Sequence, residues 1–221
     1  MSQALPAVPK IKICGMRESA NIELVAALQP DYLGFIFYEK SPRYVGEELD
    51  AEQLKAFPRQ LRKVGVFVNA HPDYILRMVR KYSLDLVQLH GTEAPEVCRN
   101  LRGRGVSLIK AFSIDEAFNF SRLNNYKPFC DYFLFDTKGE SFGGNGTTFN
   151  WELLRKYDNE KPFFLSGGIS PEHAPALHEL RGLNIHAFDI NSRFETKPGL
   201  KDVQKLKAFI QQIRKPLQTA A

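Results

Sequence analysis

The feature that most constrains the fold is an alternation of short apolar runs with longer helix-like segments. The runs are rich in Val, Ile, Leu and Phe, and they recur roughly every 20 to 30 residues. They cover residues 10–14, 31–38, 63–69, 85–90, 107–112, 132–137, 162–168 and 187–192. Their length and their flanking turn residues are typical of buried β-strands.

Helices are expected in the gaps between these strands. Residues 18–28 place apolar side chains at three-residue spacing, and Pro72 opens a segment whose apolar residues share one helical face. Further helices are predicted over residues 93–102, 172–181 and 201–213. Eight strand–helix units with parallel strands predict a (β/α)₈ barrel, or TIM barrel, of the α/β class.

The length of the chain suits one such barrel. Its 221 residues lie near the lower end of the range for this fold, which starts at about 200 residues. We therefore expect a single domain over residues 1–221, with residues 1–9 as a short flexible leader. A doubly wound open sheet is the alternative, although no GxGxxG fingerprint follows an early strand.

Composition and charge narrow the class of protein. No apolar run approaches the roughly 20 residues of a membrane helix, and residues 1–10 lack the apolar core of a signal peptide. The three cysteines form no CxxC pair, so neither a disulfide framework nor a cysteine zinc site is expected, and a cytoplasmic location is predicted. The net charge of +5 comes without a concentrated basic block, which favours an anionic small molecule over nucleic acid as the partner.

The two faces of the predicted strands differ in polarity. Successive side chains of a strand point to opposite faces, and in five strands one face is apolar while the other becomes polar. The polar face carries Lys12, Cys14, Gln88, His90, Lys110, Asp136, Asp189 and Asn191. A barrel brings these residues to one mouth, where catalytic groups lie in this architecture. The alternative for Lys12 and Lys110 is that they only complete polar pairs inside the barrel.

Cys14 and Asp136 are the candidate catalytic residues at this mouth. Cys14 ends the first strand beside Lys12, and a nearby cation would lower the thiol pKa from about 8.5. The alternative for Cys14 is a small buried apolar side chain. Asp136 ends the sixth strand, where partial desolvation would raise its pKa and keep a proton available for general acid catalysis. The alternative for Asp136 is a salt bridge to a barrel lysine.

Candidate substrate-binding residues lie on the same side of the barrel. Gln88, His90 and Asp189 share the polar face, although Asp189 also suits an orienting role. Arg43, in the loop after the second strand, is a candidate clamp for a substrate carboxylate.

A phosphate site is expected between the loops after the seventh and eighth strands. The residues concerned are Gly167, Gly168, Asn191, Ser192 and Arg193. The glycine-rich segment 138–148 is a candidate lid over the site. The five histidines form no recognisable metal-binding motif.

Ordered motifs along almost the whole chain resemble those of the phosphoribosylanthranilate isomerase family. The motifs are KICGMR (12–17), GFIFYEKSPRYV (34–45), VGVFVN (64–69), VQLHG (87–91), FDTKGESFGGNGTTFNW (135–151), LSGGIS (165–170) and FDINSRFETKPGLKD (188–202). The resemblance implies a (β/α)₈ barrel with no metal and no organic cofactor. It implies a small-molecule substrate, a phosphorylated aminoaldose carrying an anthranilate. Neither nucleic acid nor a membrane is an expected partner, and the enzyme is expected as a monomer or homodimer.

The resemblance also implies a reaction and residue roles. The reaction is an Amadori rearrangement in which Asp136 matches the general acid and Cys14 the general base, while Arg43 matches an arginine near the anthranilate. One departure concerns the phosphate loop, because the family often has Ser-Ser-Gly where this chain has residues 191–193, Asn-Ser-Arg. Arginine restricts the positive φ that glycine allows, so the role of Arg193 is open.

Two other classes of function compete with this interpretation. Another ribose-phosphate barrel enzyme is one, either the histidine-pathway aminoaldose isomerase or indole-glycerol-phosphate synthase. The first is expected to have an aspartate where this chain has Cys14, and the lysine and glutamate pattern of the second is not visible. A basic nucleic-acid-binding module is the other, but no helix-turn-helix or basic-aromatic pattern supports it.

Overall fold

Eight parallel strands close into a barrel in the computed structural model, which describes residues 9–46, 49–137, 151–180 and 182–215. The strands are β1 Lys10–Ile13, β2 Tyr32–Ile36, β3 Arg62–Phe67, β4 Leu86–Leu89, β5 Leu108–Ile114, β6 Tyr132–Thr137, β7 Phe163–Ser166 and β8 Ile185–Ile190. Their order in the barrel follows their order in the sequence. The pairing of β1 with β8, from Lys10↔Ala187 to Ile13↔Ile190, closes the ring. This pairing confirms the predicted barrel and excludes the open sheet.

Helices surround the barrel in most of the connections. They are α1 Ser19–Ala26, α2 Ala51–Ala56, α3 Pro72–Tyr82, α4 Pro95–Gly103, α5 Ala174–Glu179 and α6 Val203–Arg214. The predicted helices correspond to α1, α3, α4, α5 and α6, whereas α2 was not predicted. It has six residues, too few to show a helical period, and it begins where Asp50 accepts hydrogen bonds from the backbone N–H groups of Glu52 and Gln53.

The expectation of eight strand–helix units is wrong in the connection after β5, and the described part of the connection after β6 also lacks an α-helix. The described residues after β5 and β6 contain the 3₁₀ helices Phe120–Asn125 and Trp151–Lys156 instead of α-helices. The sequence after β5 explains the first case. Asn119 caps the short helix, two further asparagines end it and Pro128 follows it. These residues favour turns over long helices.

Two apolar cores lie on the two sides of the barrel wall. The interior core consists of Tyr32, Val64, Leu86, Ile109, Ala111, Leu134, Phe164 and Ala187. The larger core lies between the outer face of the strands and the helices, and it includes Ile11, Val87, Phe135 and Phe188. The predicted faces are therefore confirmed for β1, β4, β6 and β8.

The predicted faces of β5 are wrong. Ile109 and Ala111 point into the barrel, so Lys110 lies on the outer side of the wall. Its Nζ donates to the carbonyl oxygens of Leu89, Gly91 and Ala111 at 3.2, 2.8 and 2.9 Å. It also lies 3.1 Å from Oε2 of Glu93. Lys110 therefore forms hydrogen bonds and an ion pair on the outer side of the barrel wall, and it does not line the mouth.

A two-stranded hairpin follows β8. Its strands, β9 Glu195–Lys197 and β10 Leu200–Lys201, are antiparallel, and Gly199 makes the turn with a φ of 84°. The Asn21 side chain of α1 donates to the Lys201 carbonyl at 3.0 Å and accepts from its N–H at 2.8 Å. These bonds hold the hairpin against the barrel.

Two sequence expectations concern segments that the structure does not describe. Most of the expected leader, residues 1–8, and the expected lid, residues 138–148, lie outside the described residues. None of the helices in the described part of the chain is long and apolar enough to span a bilayer.

Candidate active site

A cavity of about 320 Å³ opens at the C-terminal end of the barrel strands. Its position follows from the fold, because parallel strands bring their carboxyl ends together at one mouth. Nine of the eleven predicted site residues line it: Cys14, Gln88, His90, Asp136, Gly167, Gly168, Asp189, Asn191 and Ser192. Apolar side chains of β2 and β3, Ile36 and Val66, complete one wall. The two predicted arginines, Arg43 and Arg193, lie outside this lining.

A buried ion pair forms the floor of the cavity. Lys12 Nζ donates to Asp189 Oδ2 at 2.7 Å and to Gln88 Oε1 at 2.9 Å. Burial alone would lower the pKa of Lys12, but the Asp189 and Cys14 side chains raise it above its ordinary value. Among the described residues, Asp189 Oδ1 is buried without a hydrogen-bond partner. An acceptor left open beside a cavity suits a substrate hydroxyl, which agrees with the predicted binding role of Asp189.

Cys14 lies above this ion pair and is buried. Burial raises the pKa of its thiol above the ordinary value, and the charges of Lys12 and Lys201 only partly oppose that effect. The expectation of a lowered thiol pKa is therefore wrong, because desolvation outweighs the neighbouring cations. Gly34 of β2 leaves room for the sulfur, since a Cβ at that position would lie 2.8 Å from Cys14 Sγ.

Asp136 faces His90 across the mouth. His90 Nε2 lies 3.6 Å from Asp136 Oδ2, and each side chain is 33% exposed. Gln88 Nε2 lies 2.7 Å from His90 Nδ1. Because Gln88 Oε1 already accepts from Lys12, its amide nitrogen is the donor, and Nδ1 of a neutral His90 is the acceptor. That assignment places the imidazole proton on Nε2, next to the Asp136 carboxyl. The alternative prediction for Asp136, a salt bridge to a barrel lysine, is wrong. Among the described residues, the ionisable partner of Asp136 is His90.

Two glycines shape the loop after β7. Gly167 and Gly168 have φ values of 99° and 65°, a region that other residues enter with strain. Gly168 borders both the main cavity and a second cavity of about 250 Å³. Arg193 and Lys205 lie at this second cavity, and Asn191 and Ser192 line the first. The predicted phosphate residues therefore line two cavities that share Gly168, with Arg193 at the second.

Arg43 makes an ion pair at the rim of the mouth. Its Nε and Nη2 atoms donate to the Glu195 carboxylate at distances of 2.6 to 3.0 Å. Glu195 Oε1 also accepts from Lys201 Nζ at 2.6 Å. Glu195 and Lys201 were not predicted as site residues. The one available signal was their position in the FDINSRFETKPGLKD motif.

One protein-family model matches most of the chain. The model described as N-(5′-phosphoribosyl)anthranilate (PRA) isomerase matches residues 11–212. The chain belongs to this isomerase family. The match covers all eight barrel strands except the first residue of β1.

Relatives that carry the name of this isomerase family align with the chain along the whole barrel. N-(5′-phosphoribosyl)anthranilate isomerase from Parabacteroides distasonis is 50% identical over 208 residues, covering 93% of this chain and 94% of that protein. The protein of the same name from Phocaeicola vulgatus is 40% identical, with 94% and 99% covered.

Solved structures of the isomerase family share the fold. The Thermotoga maritima phosphoribosyl anthranilate isomerase superposes with a TM-score of 0.83 at 34% identity, covering 93% of this chain and 98% of that one. A phosphoribosyl anthranilate isomerase in complex with reduced 1-(o-carboxyphenylamino)-1-deoxyribulose 5-phosphate has a TM-score of 0.78 at 31% identity, with the same coverage. Monomers generated from the dimeric T. maritima isomerase have also been crystallised.

The described residues contain no group of three or more His, Cys, Asp and Glu side chains arranged to hold a metal ion. The ionisable groups at the mouth instead contact one another through the hydrogen bonds and ion pairs given above. The arrangement therefore places acid–base groups and the loops after β7 and β8 around one cavity.

Proposed function

We propose that this cavity converts N-(5-phosphoribosyl)anthranilate into 1-(2-carboxyphenylamino)-1-deoxyribulose 5-phosphate by an Amadori rearrangement. This is the third step of the branch from chorismate to tryptophan. The observation that carries the proposal is that Cys14, from β1, and Asp136, from β6, line the same cavity on opposite sides of the barrel. An acid and a base placed in this way can flank a single sugar.

The first step assigns the acid to Asp136. Its protonated carboxyl gives a proton to the furanose ring oxygen, and the bond from that oxygen to C1′ breaks. The nitrogen lone pair forms the iminium at C1′, and Asp136 is left as a carboxylate. His90 is proposed to move closer and donate a hydrogen bond to that carboxylate as its charge develops, since its Nε2 lies 3.6 Å away.

The second step assigns the base to Cys14. Its thiolate removes the C2′ proton, which the neighbouring iminium has made more acidic. The resulting enolamine then tautomerises to the ketose. Burial raises the pKa of the Cys14 thiol and so opposes formation of the thiolate. Lys12 and Lys201 favour the thiolate when it forms.

The remaining residues are proposed to bind the substrate. Gly167, Gly168, Asn191 and Ser192 offer backbone N–H groups to the phosphate, as loops seven and eight of such barrels do. Gln88, His90 and Asp189 are proposed to contact the sugar chain.

Arg43 and Arg193 are proposed to interact with the two anionic groups of the substrate, the carboxylate and the phosphate. Arg43 is assigned to the anthranilate carboxylate, and it lies at the rim beside Asn191. Arg193 is proposed to add a positive charge near the phosphate, because it lines the second cavity, which shares Gly168 with the first.

Other aspects of the assignment stay predictions. The proposed partner is this small-molecule substrate, without nucleic acid, membrane, metal or organic cofactor. A cytoplasmic location and a monomer or homodimer are also proposed. The histidine-pathway isomerase is the second candidate, but its expected aspartate at the end of β1 is Cys14 in this chain.

Two experiments test the proposed function. Turnover by the purified protein should be measured on N-(5-phosphoribosyl)anthranilate, on the histidine-pathway aminoaldose and on the substrate of indole-glycerol-phosphate synthase, with the first strongly preferred. The gene should also restore growth on tryptophan-free medium to a bacterium lacking the step. A well-expressed protein that neither turns over the first substrate nor restores growth would refute the proposal.

The Cys14 assignment has its own test. Cys14→Ser replaces the thiol with a hydroxyl, which is a far weaker acid and provides far less of the anion that acts as the base. The kcat should therefore fall by about two to four orders of magnitude. Below the thiol pKa, kcat/KM of the unmodified protein should rise with pH, because only the thiolate removes the proton. Near-normal turnover by Cys14→Ser would remove Cys14 from the mechanism.

A further inference from the structure

The Arg43 guanidinium is held in one orientation at the rim of the cavity. A Cβ on Gly15, the residue after Cys14, would lie 2.7 Å from Arg43 Cδ and 2.7 Å from Asn191 Oδ1. Arg43 and Asn191 therefore lie side by side over Gly15, and Asn191 lines the cavity. Only glycine fits at this position, which also has a φ of 76°.

Glu195 occupies one edge of this guanidinium. The carboxylate accepts from Nε at 2.9 and 3.0 Å and from Nη2 at 2.6 Å, which is the paired geometry of a fork-like contact. Among the described residues, the side-chain hydrogen bonds and the ion pair of Arg43 use Nε and Nη2, and none uses Nη1. The ion pair thus leaves the other edge of the guanidinium available to an anion.

Glu195 alone would cancel the charge that Arg43 presents to a substrate. Lys201 prevents this cancellation, because its Nζ lies 2.6 Å from Glu195 Oε1 and its side chain is 0% exposed. Burial opposes the charge on Glu195, but Arg43 and Lys201 hold its pKa below the ordinary value. The cluster of Arg43, Glu195 and Lys201 therefore carries a net charge of about +1 by simple addition.

Hydrogen bonds connect this cluster to the hairpin and to the barrel. The N–H of Gly199, in the turn between β9 and β10, donates to Glu195 Oε1 at 3.2 Å. Lys201 Nζ also donates to Asn191 Oδ1 at 2.6 Å, and Asn21 holds the backbone of Lys201. Each charged group is thus tied to a second element, as a binding site with a defined geometry requires.

We infer that Glu195, with Lys201 as its counter-charge, is a positioning residue that aims the free edge of Arg43 at the anthranilate carboxylate of the substrate. The inference rests on the proposed function, because the carboxylate belongs to the proposed substrate. It assigns to the β9–β10 hairpin a part in substrate selection.

A charge-conserving double variant separates positioning from electrostatics. In Glu195→Gln/Lys201→Met the cluster keeps the net charge of Arg43 alone, yet the guanidinium loses its charged partner. Binding should be measured for two reduced product analogues, one with the anthranilate carboxylate and one with a plain phenyl group. We expect the carboxylated analogue to bind at least about 10-fold more weakly, with the phenyl analogue changed less than about 3-fold. In the single variant Glu195→Gln, which keeps Lys201 near Cys14, KM should rise more than kcat falls.

Further variants decide between a positioning role and a structural one. The single variant Glu195→Gln raises the net charge, so pure electrostatics predicts tighter binding of the carboxylated analogue, and positioning predicts weaker binding. In an Arg43→Met background, Glu195→Gln should add little further loss. Glu160→Gln removes an ion-paired glutamate that contacts Lys127 at 2.8 Å and should match the unmodified protein. If a single variant fails to fold, the double variant and the Arg43→Met comparison still give a result.

The outcomes are distinguishable. Equal losses for the two analogues, or unchanged binding of the carboxylated one, overturn the inference while the proposed function stands. Failure of the unmodified protein to turn over the substrate overturns the proposed function and this inference with it.

Discussion

The two ends of the barrel interior use the same strands in opposite ways. At the N-terminal end, Tyr32, Tyr132, Phe164 and His186 fill the space with rings whose centroids are 4.3 to 5.8 Å apart. Tyr32 Oη lies 2.7 Å from His186 Nε2, so the polar atoms satisfy each other. At the C-terminal end, by contrast, the Asp136 and His90 side chains are each one-third exposed, and Oδ2 of Asp136 lies 3.6 Å from Nε2 of His90.

A shift in register accounts for part of this difference. The pairing of β7 with β8 moves from Phe163↔Ile185 to Phe164↔Ala187, and His186 is the extra residue. It contacts the interior rings and closes the N-terminal end. Closed, well-packed polar groups stabilise a fold, and polar groups left facing a cavity are available for chemistry. On this division, the N-terminal end of the barrel interior serves stability and the C-terminal end serves the reaction.

The largest effect is expected from Asp136→Asn at the C-terminal mouth. The amide cannot protonate the ring oxygen, so kcat should fall by about two to four orders of magnitude. The free energy of unfolding should change by less than about 0.5 kcal/mol, because the side chain is partly exposed. Steady-state kinetics and urea unfolding measure the two quantities. A variant that unfolds easily, or one that keeps full turnover, would contradict the division.

The matching change at the other end is Phe164→Ala. This ring is fully buried in the interior core, so its removal should cost about 3–5 kcal/mol of unfolding free energy. Turnover per folded molecule should stay within about 3-fold of the unmodified value. If kcat instead fell as far as in Asp136→Asn, the two ends would not be separable.

Lys12 lies between the two ends and should affect both properties. Lys12→Met leaves the Asp189 carboxylate buried without its partner, which should cost about 3–5 kcal/mol and lower turnover as well. Lys12→Met/Asp189→Asn removes both charges and should recover much of the stability but not the activity. Equal recovery of both would show that the ion pair serves the fold alone.

A smaller effect is expected from pH at the N-terminal end. Burial, followed by the charges of Lys10 and Arg62, lowers the pKa of His186 to about 4. The unfolded chain therefore binds this proton more readily, and stability present above the ordinary pKa of about 6.5 should be lost as pH falls towards 4.

The size of this loss is about 1–2 kcal/mol after allowance for solvent screening. His186→Gln keeps a polar partner for Tyr32 and should flatten the pH dependence of thermal unfolding. His71→Gln, at an exposed histidine, is the control. An unchanged slope in His186→Gln would assign the acid sensitivity to other groups.

Much of the site could be predicted from the sequence because it follows strand by strand from local patterns. Cys14 and Asp136 each end an apolar run, so alternation along their own strands was enough to place them at the mouth. The same reasoning failed for Lys110, since Ile109 and Ala111 suit the barrel interior as well as the outer core. The pattern of polar and apolar residues in one strand does not show whether its apolar face points into the barrel or towards the helices.

The sequence by itself predicted the eight strands and the loops that follow them, because these depend on periodicity over a few residues. Only the tertiary structure decided which charged groups meet. Arg43 and Glu195 are 152 positions apart, and Lys12 and Asp189 are 177 apart. Such pairs exist only once β1 and β8 have closed the barrel, and the burial that closure creates then raises the pKa of Cys14 against its neighbouring cations.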